Sequence, residues 1–148
     1  MTSDRLYPDR PFLAASVAVM REGRVLLAAR ARPPLEHVFT LPGGLVEAGE
    51  TLAEAALREL GEEVGVEAEL LGFLAPVEVI EREADGPVKH HYVVCAYVAR
   101  WLSGEPRTGL EALEVRWVTE EESAGLRTTP GLARILRQAF ARAAGSGA

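Results

Sequence analysis

Between Thr51 and Gly65 the chain carries signals for both ends of one helix, and the rest of the fold has to be built around it. Thr51-Leu52-Ala53-Glu54 has the spacing of a capping box, with Thr51 as N-cap and Glu54 at N3, and Gly65 stands where a left-handed residue stops a helix. About fourteen residues lie between, roughly 20 Å of helix. Placed at about 100° per residue with Glu59 as zero, Ala53, Leu57, Leu60 and Val64 fall between about 100° and 160°, an apolar stripe predicted to face the core. Glu59, Glu62 and Glu63 fall at about 0°, 300° and 40° on the same scale, so three carboxylates share another face. One turn earlier that face carries only Leu52, Ala55 and Ala56, and these small side chains are expected to leave room for a ligand to approach.

Apolar, β-prone runs flank the helix on both sides. Residues 12–20 and 24–30, separated by Arg21-Glu22-Gly23-Arg24, read as a hairpin. Arg32-Pro33-Pro34 then excludes regular structure, and Leu41-Pro42-Gly43-Gly44 reads as a glycine-rich turn leading toward the helix. Beyond it, 68–80 and 90–102 read as two largely buried strands joined by a polar stretch with Gly86-Pro87, and Val115-Arg116-Trp117-Val118 as a further strand before an acidic turn at Glu120, Glu121 and Glu122. Thr129-Pro130 has the pattern that opens a helix, here running to about Arg142. Strands on both sides of helices predict one α/β domain over residues 1–148, with a mixed sheet and helices packed on it, and with 1–10 and 143–148 flexible.

Charge narrows the function. The 148 residues hold 16 Lys plus Arg and 22 Asp plus Glu, a net of −6, so the chain lacks the broad basic surface that a nucleic-acid polymer requires. That charge is concentrated: Gly44 to Val66 contains six acids (Glu47, Glu50, Glu54, Glu59, Glu62, Glu63) and one base, Arg58, a net of −5, which leaves −1 for the other residues. Cys95 is alone, so no intrachain disulfide can form, and one thiol with three histidines does not make the usual structural zinc site. The apolar run from Phe12 to Met20 is too short to span a bilayer. A cytoplasmic protein with no membrane partner is expected, acting as a monomer or a homodimer.

Like charges at i,i+3 and i,i+4 repel, yet three converging carboxylates are what a hard divalent cation such as Mg²⁺ takes as ligands. Gly44-Leu45-Val46-Glu47-Ala48-Gly49-Glu50-Thr51 nearly has the spacing of a phosphate-binding P-loop, but Glu50 stands where the lysine belongs. The reversed charge excludes an ATP P-loop. A phosphate visiting this loop has to be met through a metal ion.

Gly44, Glu50 and Arg58-Glu59-Leu60-Gly61-Glu62-Glu63-Val64-Gly65-Val66 fit every specified position of the 23-residue Nudix box, so the chain resembles the Nudix hydrolases. The resemblance implies an α/β/α sandwich and Mg²⁺- or Mn²⁺-dependent cleavage of a pyrophosphate bond in a nucleoside diphosphate linked to another group. It implies that Glu59, Glu62 and Glu63 ligate metal together with the Gly43 carbonyl, and that Gly44, Glu50 and Arg58 hold the loop and orient the glutamates. By the same resemblance Glu59 matches a position proposed as base in some members. The resemblance puts the other position for a base in the loop before the last strand, where Glu111 and Glu114 are the local choices and Glu114 is favoured, with ordinary surface acids as the alternative for both.

Outside the box, Arg30 and Arg32 leave the second strand toward it and are candidates to grip a substrate phosphate, with a surface role as the alternative. Phe39 is a candidate to stack on a base or to pack in the core. His90 and His91 must point to opposite faces of their strand, and Tyr92, Tyr97 and Trp117 read as core. Substrate choice stays open among ADP-ribose-like sugars, (d)NTPs including oxidised ones, and related nucleotides. The competing reading is a non-catalytic Nudix module that senses ADP-ribose or a similar nucleotide.

Overall fold

The computed structural model describes residues 5–31 and 37–147, so Arg32 and the Pro33-Pro34 loop lie outside the described residues. Strand β1 (Phe12–Arg21) turns into β2 (Arg24–Arg30) through Glu22 and Gly23, whose φ values of 50° and 76° are both left-handed, as a two-residue type I′ hairpin turn requires. The two strands pair only at Met20↔Val25 and Arg21↔Arg24 and then part. Into the opening come β3 (Phe39–Thr40), which pairs with β2, and β4 (Gly43–Leu45), which pairs with β1 at Ala14, Ala15 and Ser16. The glycine-rich turn is therefore a short strand laid into the sheet where the hairpin splays.

Helix α1 (Leu52–Val64) follows, with the Thr51–Glu54 capping box formed in both directions and Gly65 at φ 74° as its left-handed stop. The long strands β5 (Glu67–Arg82) and β6 (Val88–Ser103) form a hairpin, β7 (Ala112–Val118) pairs with β2, and the chain ends in α2 (Glu120–Ser123) and α3 (Leu132–Ser146). The sheet order is β3-β2-β1-β6-β5, with β4 on β1 and β7 on β2, and β1 runs parallel to β6 while the other pairings are antiparallel. Strand alternation sorts the core into two layers. Ala15, Val17, Val19, Leu26 and Ala28 meet Ala55, Ala56, Leu60 and Val64 of α1. Ala18, Met20, Val25, Leu27 and Ala29 meet Leu132, Ile135, Leu136, Ala139 and Ala143 of α3. The expected α/β/α sandwich with a mixed sheet is what the structure shows, and among the described residues no helix is long and apolar enough to cross a membrane.

Several local readings are corrected. The acidic stretch at Glu120 is a single helical turn, closed by a Thr119–Glu122 capping box. Helix α3 begins at Leu132 behind Gly131 at φ 85° and not at Thr129-Pro130, and the Thr129 hydroxyl pairs with Thr40 Oγ1 at 2.9 Å. The segment 143–146, expected to be frayed, closes the last turns of α3 with Ala143 buried. At the other end, Tyr7 donates its N–H to the Lys89 carbonyl and its hydroxyl to Glu83, which ties this segment to the β5–β6 hairpin. Strand β5 was expected to be largely buried, but it is the edge of the sheet and exposes Phe73, Val79 and Ile80.

Candidate active site

The site is assembled where β4 lies against both β1 and α1, and glycine is needed there for space. A Cβ on Gly43 would stand 2.8 Å from Cα and Cβ of Ser16, and a Cβ on Gly44 would enter the carboxylate of Glu59. The first glycine thus admits β1 and the second the Glu59 side chain of α1, and the Gly43 N–H donates to Glu63 Oε2 at 3.1 Å.

The helix is turned from the predicted orientation. The residues buried on α1 are Ala55, Ala56, Leu60 and Val64, whereas Leu57 is 37% exposed. The buried face is thus rotated by roughly 60° from the stripe read at about 100° per residue. Ala55 and Ala56 admit the sheet and leave no ligand room beside them. The same rotation draws Glu59 and Glu63 inward and leaves Glu62 outside, with its side chain 63% exposed.

One arginine organises the acids. Arg58 Nε donates to Glu50 Oε2 at 2.6 Å and Nη2 to Glu50 Oε1 at 3.0 Å, a bidentate pair, and Nη2 also donates to the Leu45 carbonyl. Its Nη1 donates to Glu59 Oε2 at 3.2 Å and to Glu62 Oε1 at 3.1 Å. Held by this guanidinium and by the Glu47 N–H, the Glu50 carboxyl is lowered to about 2. Glu63 goes the other way: burial pushes it up to about 7 against the Gly43 hydrogen bond, and the charges of Glu59 and Glu111 push in the same direction as burial. Glu59 is raised as well, chiefly by burial and in smaller part by Glu62 and Glu111, with Arg58 opposing.

Glu111, the less favoured of the two acids before the last strand, is therefore the one within Coulomb reach of the glutamates. Glu114 is ion-paired with Arg116 at 2.5 Å, and the Arg116 guanidinium lies 5.2 Å from the Phe39 ring centre on the α3 side of the sheet. A β-bulge separates the two acids. Ala29 pairs with Glu114 and Arg30 with Ala112, so Leu113 is an extra residue and Glu114 falls on the opposite face from Ala112. The signal in the sequence is the spacing of Ala112, Val115 and Trp117, three and then two, which breaks a strict alternation.

The other candidates divide. Arg30 lies near enough to Glu63 for its charge to oppose the upward shift, and its buried Nε has no hydrogen-bond partner among the described residues. Phe39 is 7% exposed inside the α3-side core, the packing alternative of its reading. His90 bonds Glu81 at 2.5 Å. Tyr97 and Trp117 pack at the margin of the α1-side core. Two surface grooves of 470 and 310 Å³ run beside α2 and α3 and contain none of the candidate residues.

Among the described residues no three acidic, histidine or cysteine side chains stand gathered at metal-binding distances, and Glu62 is turned to Arg58. The donor set nevertheless fits a hard divalent cation: oxygen ligands from adjacent helical turns, two of them partly buried and raised in pKa against the opposing charges of Arg58 and Arg30. The fit depends on Gly44. Gly44→Ala is expected to displace the Glu59 carboxylate and lower turnover roughly 10- to 100-fold, with little change in Tm because the obstructed atoms are the end of a flexible side chain. Steady-state kinetics and calorimetry on the variant check this, and normal turnover would refute the role given to that contact.

A glycine strand, a carboxylate-bearing helix packed on it and an arginine clasp between them define a carboxylate-cluster site on an α/β/α sandwich. The chain belongs to the Nudix family, the NUDIX domain family model matching residues 10–139. It is 31% identical over 113 residues to the ADP-ribose pyrophosphatase of Methanocaldococcus jannaschii, a match that covers 76% of this chain and 64% of that protein, less than two thirds of its length. It is 39% identical over 107 residues to the putative 8-oxo-dGTP diphosphatase 2 of Mycobacterium tuberculosis, over 71% of each chain. Among solved structures, the MutT NUDIX hydrolase of Burkholderia pseudomallei aligns with a TM-score of 0.77 at 31% identity, covering 88% of this chain and 98% of that one.

Proposed function

We propose that the chain hydrolyses a pyrophosphate bond in a nucleoside diphosphate linked to another group, an ADP-ribose-like nucleotide sugar or a (d)NTP, with Mg²⁺ or Mn²⁺ as cofactor. One observation carries the reading: Glu59 and Glu63 are drawn in against Gly43-Gly44, partly buried and mutually repelling, while Arg58 holds Glu50, Glu59 and Glu62 in one clasp. The names of the archaeal and mycobacterial relatives supply the two substrate types.

Glu59, Glu62, Glu63 and the Gly43 carbonyl would hold the cation, which when bound neutralises phosphate oxygens and acidifies a water molecule. The chain's own residues supply the rest. The Arg58–Glu50 pair fixes the loop, so that the glutamates need no rearrangement of backbone to meet a ligand. Arg30, whose charge reaches Glu63, contacts a substrate phosphate. Glu111 accepts the proton of the attacking water, since it stands across from Glu59 and Glu63 and Glu114 lies on the other face of the sheet.

The test is a panel of ADP-ribose, NADH, dinucleoside polyphosphates, nucleotide sugars, 8-oxo-dGTP and ordinary dNTPs with Mg²⁺ or Mn²⁺, scored by phosphate or nucleotide release. Metal-dependent release from at least one nucleotide is expected. Tight binding without release across the panel would favour the sensor reading over the hydrolase.

A further inference from the structure

The loop from Gly104 to Glu111 has no regular structure, yet it is tied down along its length. At its start the Trp101 indole N–H donates to the Gly104 carbonyl at 2.8 Å. Glu105 is ion-paired at 3.1 Å with Arg21, whose guanidinium lies 3.6 Å over the Trp101 ring. At its end the Gly109 N–H donates to the Ala112 carbonyl at 2.9 Å, and the Ala31 N–H donates to the Glu111 carbonyl at 3.3 Å.

The middle of the loop is docked on α1. The Arg107 N–H donates at 3.0 Å to the carbonyl of Val64, one of those a helix leaves open at its C-terminus. The Arg107 guanidinium covers Gly65, where a Cβ would stand 2.8 Å from its Cζ. Helix α1 has no basic residue in its last turn, and its C-terminal half carries Glu59, Glu62 and Glu63 at the negative end of the helix dipole. Arg107 supplies the cation missing from that helix end, and it comes from the same loop that delivers Glu111.

We infer that Arg107 is a positioning residue: its guanidinium, seated on Gly65 at the end of α1, fixes the 104–111 loop so that Glu111 stands opposite the glutamates of the same helix. The inference rests on the reading of Glu111 as proton acceptor, and the experiment separates the two. Native-state hydrogen exchange is measured on the full chain and on Arg107→Ala. Exchange at the Gly109 and Ala31 amides should quicken by about tenfold or more, while the Val17 amide, bonded to Pro42, keeps its rate.

Kinetics on the better turned over of ADP-ribose and 8-oxo-dGTP then compare the parent, Arg107→Ala, Glu111→Gln and the double variant. Arg107→Ala should lower kcat about tenfold with KM within about twofold, and should lower it no further in the Glu111→Gln background. Unchanged exchange at Gly109 and Ala31, or an equal loss of kcat in both backgrounds, would overturn the positioning role. Normal kcat in Glu111→Gln would instead overturn the assignment of Glu111. If the parent turns over neither probe, the hydrolase reading fails on those substrates and the exchange rates alone decide for or against the docking of the loop by Arg107.

Discussion

Glu63→Gln is expected to lower turnover by at least roughly a hundredfold and, at the same time, to raise the Tm of the metal-free protein at neutral pH. The two effects share a cause. A glutamine keeps the size of the side chain and can still accept the Gly43 N–H through its amide oxygen, so the packing of α1 on β4 survives. What it removes is a partly buried negative charge that burial, Glu59 and Glu111 all disfavour. Glu62→Gln should cost comparable activity without the gain in Tm, because the Glu62 side chain is 63% exposed and already shares Arg58. Calorimetry and kcat at saturating Mn²⁺ on both variants check the pair of outcomes, and near-normal rates in both would remove the metal-ligand assignment.

The metal-free protein should lose stability as pH rises through the range in which Glu63 ionises. Its carboxyl titrates at about 7 in the folded chain against 4.5 as the ordinary value, so between those limits the folded state binds the proton more tightly than the unfolded state. Stability therefore falls as pH climbs from 4.5 to 7, by an amount on the order of 3 kcal/mol from this group, and levels off above. Glu50 has the opposite sign. Its carboxyl, lowered to about 2, contributes stability that is present above 4.5 and is lost as pH drops toward 2, so the two windows do not overlap. Millimolar Mg²⁺ or Mn²⁺ should restore Tm at pH 8 and do little at pH 5, where the ion has to displace a proton. Thermal melts from pH 4 to 9, with and without metal, test this. A metal-free Tm that is flat between 5 and 8, or a Glu63→Gln variant with the same slope as the parent, would contradict it.

The features legible in the sequence were those set by neighbours a few residues apart. The Thr51–Glu54 box and the Gly65 stop fixed the ends of α1, and the Glu22-Gly23 turn fixed the first hairpin. The Arg58–Glu50 pair followed from their opposite charges within one motif. What escaped depends on contacts between distant segments. The rotation of α1 shows only in which residues meet the sheet, Ala55 and Ala56 buried and Leu57 left out, and the Gly43-Gly44 segment bonded to the helix belongs to a strand read as a turn. The choice of Glu111 over Glu114 turns on a single extra residue, Leu113, that shifts the register of β7 on β2. The Thr129–Thr40 pair near the start of α3 joins residues across a separation no local pattern reveals.

The parallel pairing of β1 with β6 carries a kinetic consequence. Phe12 meets Tyr92 and the ladder runs to Met20 beside Arg100, so the strand at the centre of the sheet is made some eighty residues before its partner. Contacts of such sequence separation slow the search for the native topology, since the intervening chain must be closed before the pairing is rewarded. The β5–β6 hairpin and α1 can form from local contacts, whereas β1 is completed only when that hairpin docks. Refolding is thus expected on the millisecond-to-second scale of non-local sheets, with an apolar central strand exposed on the nascent chain until residue 100 has left the ribosome.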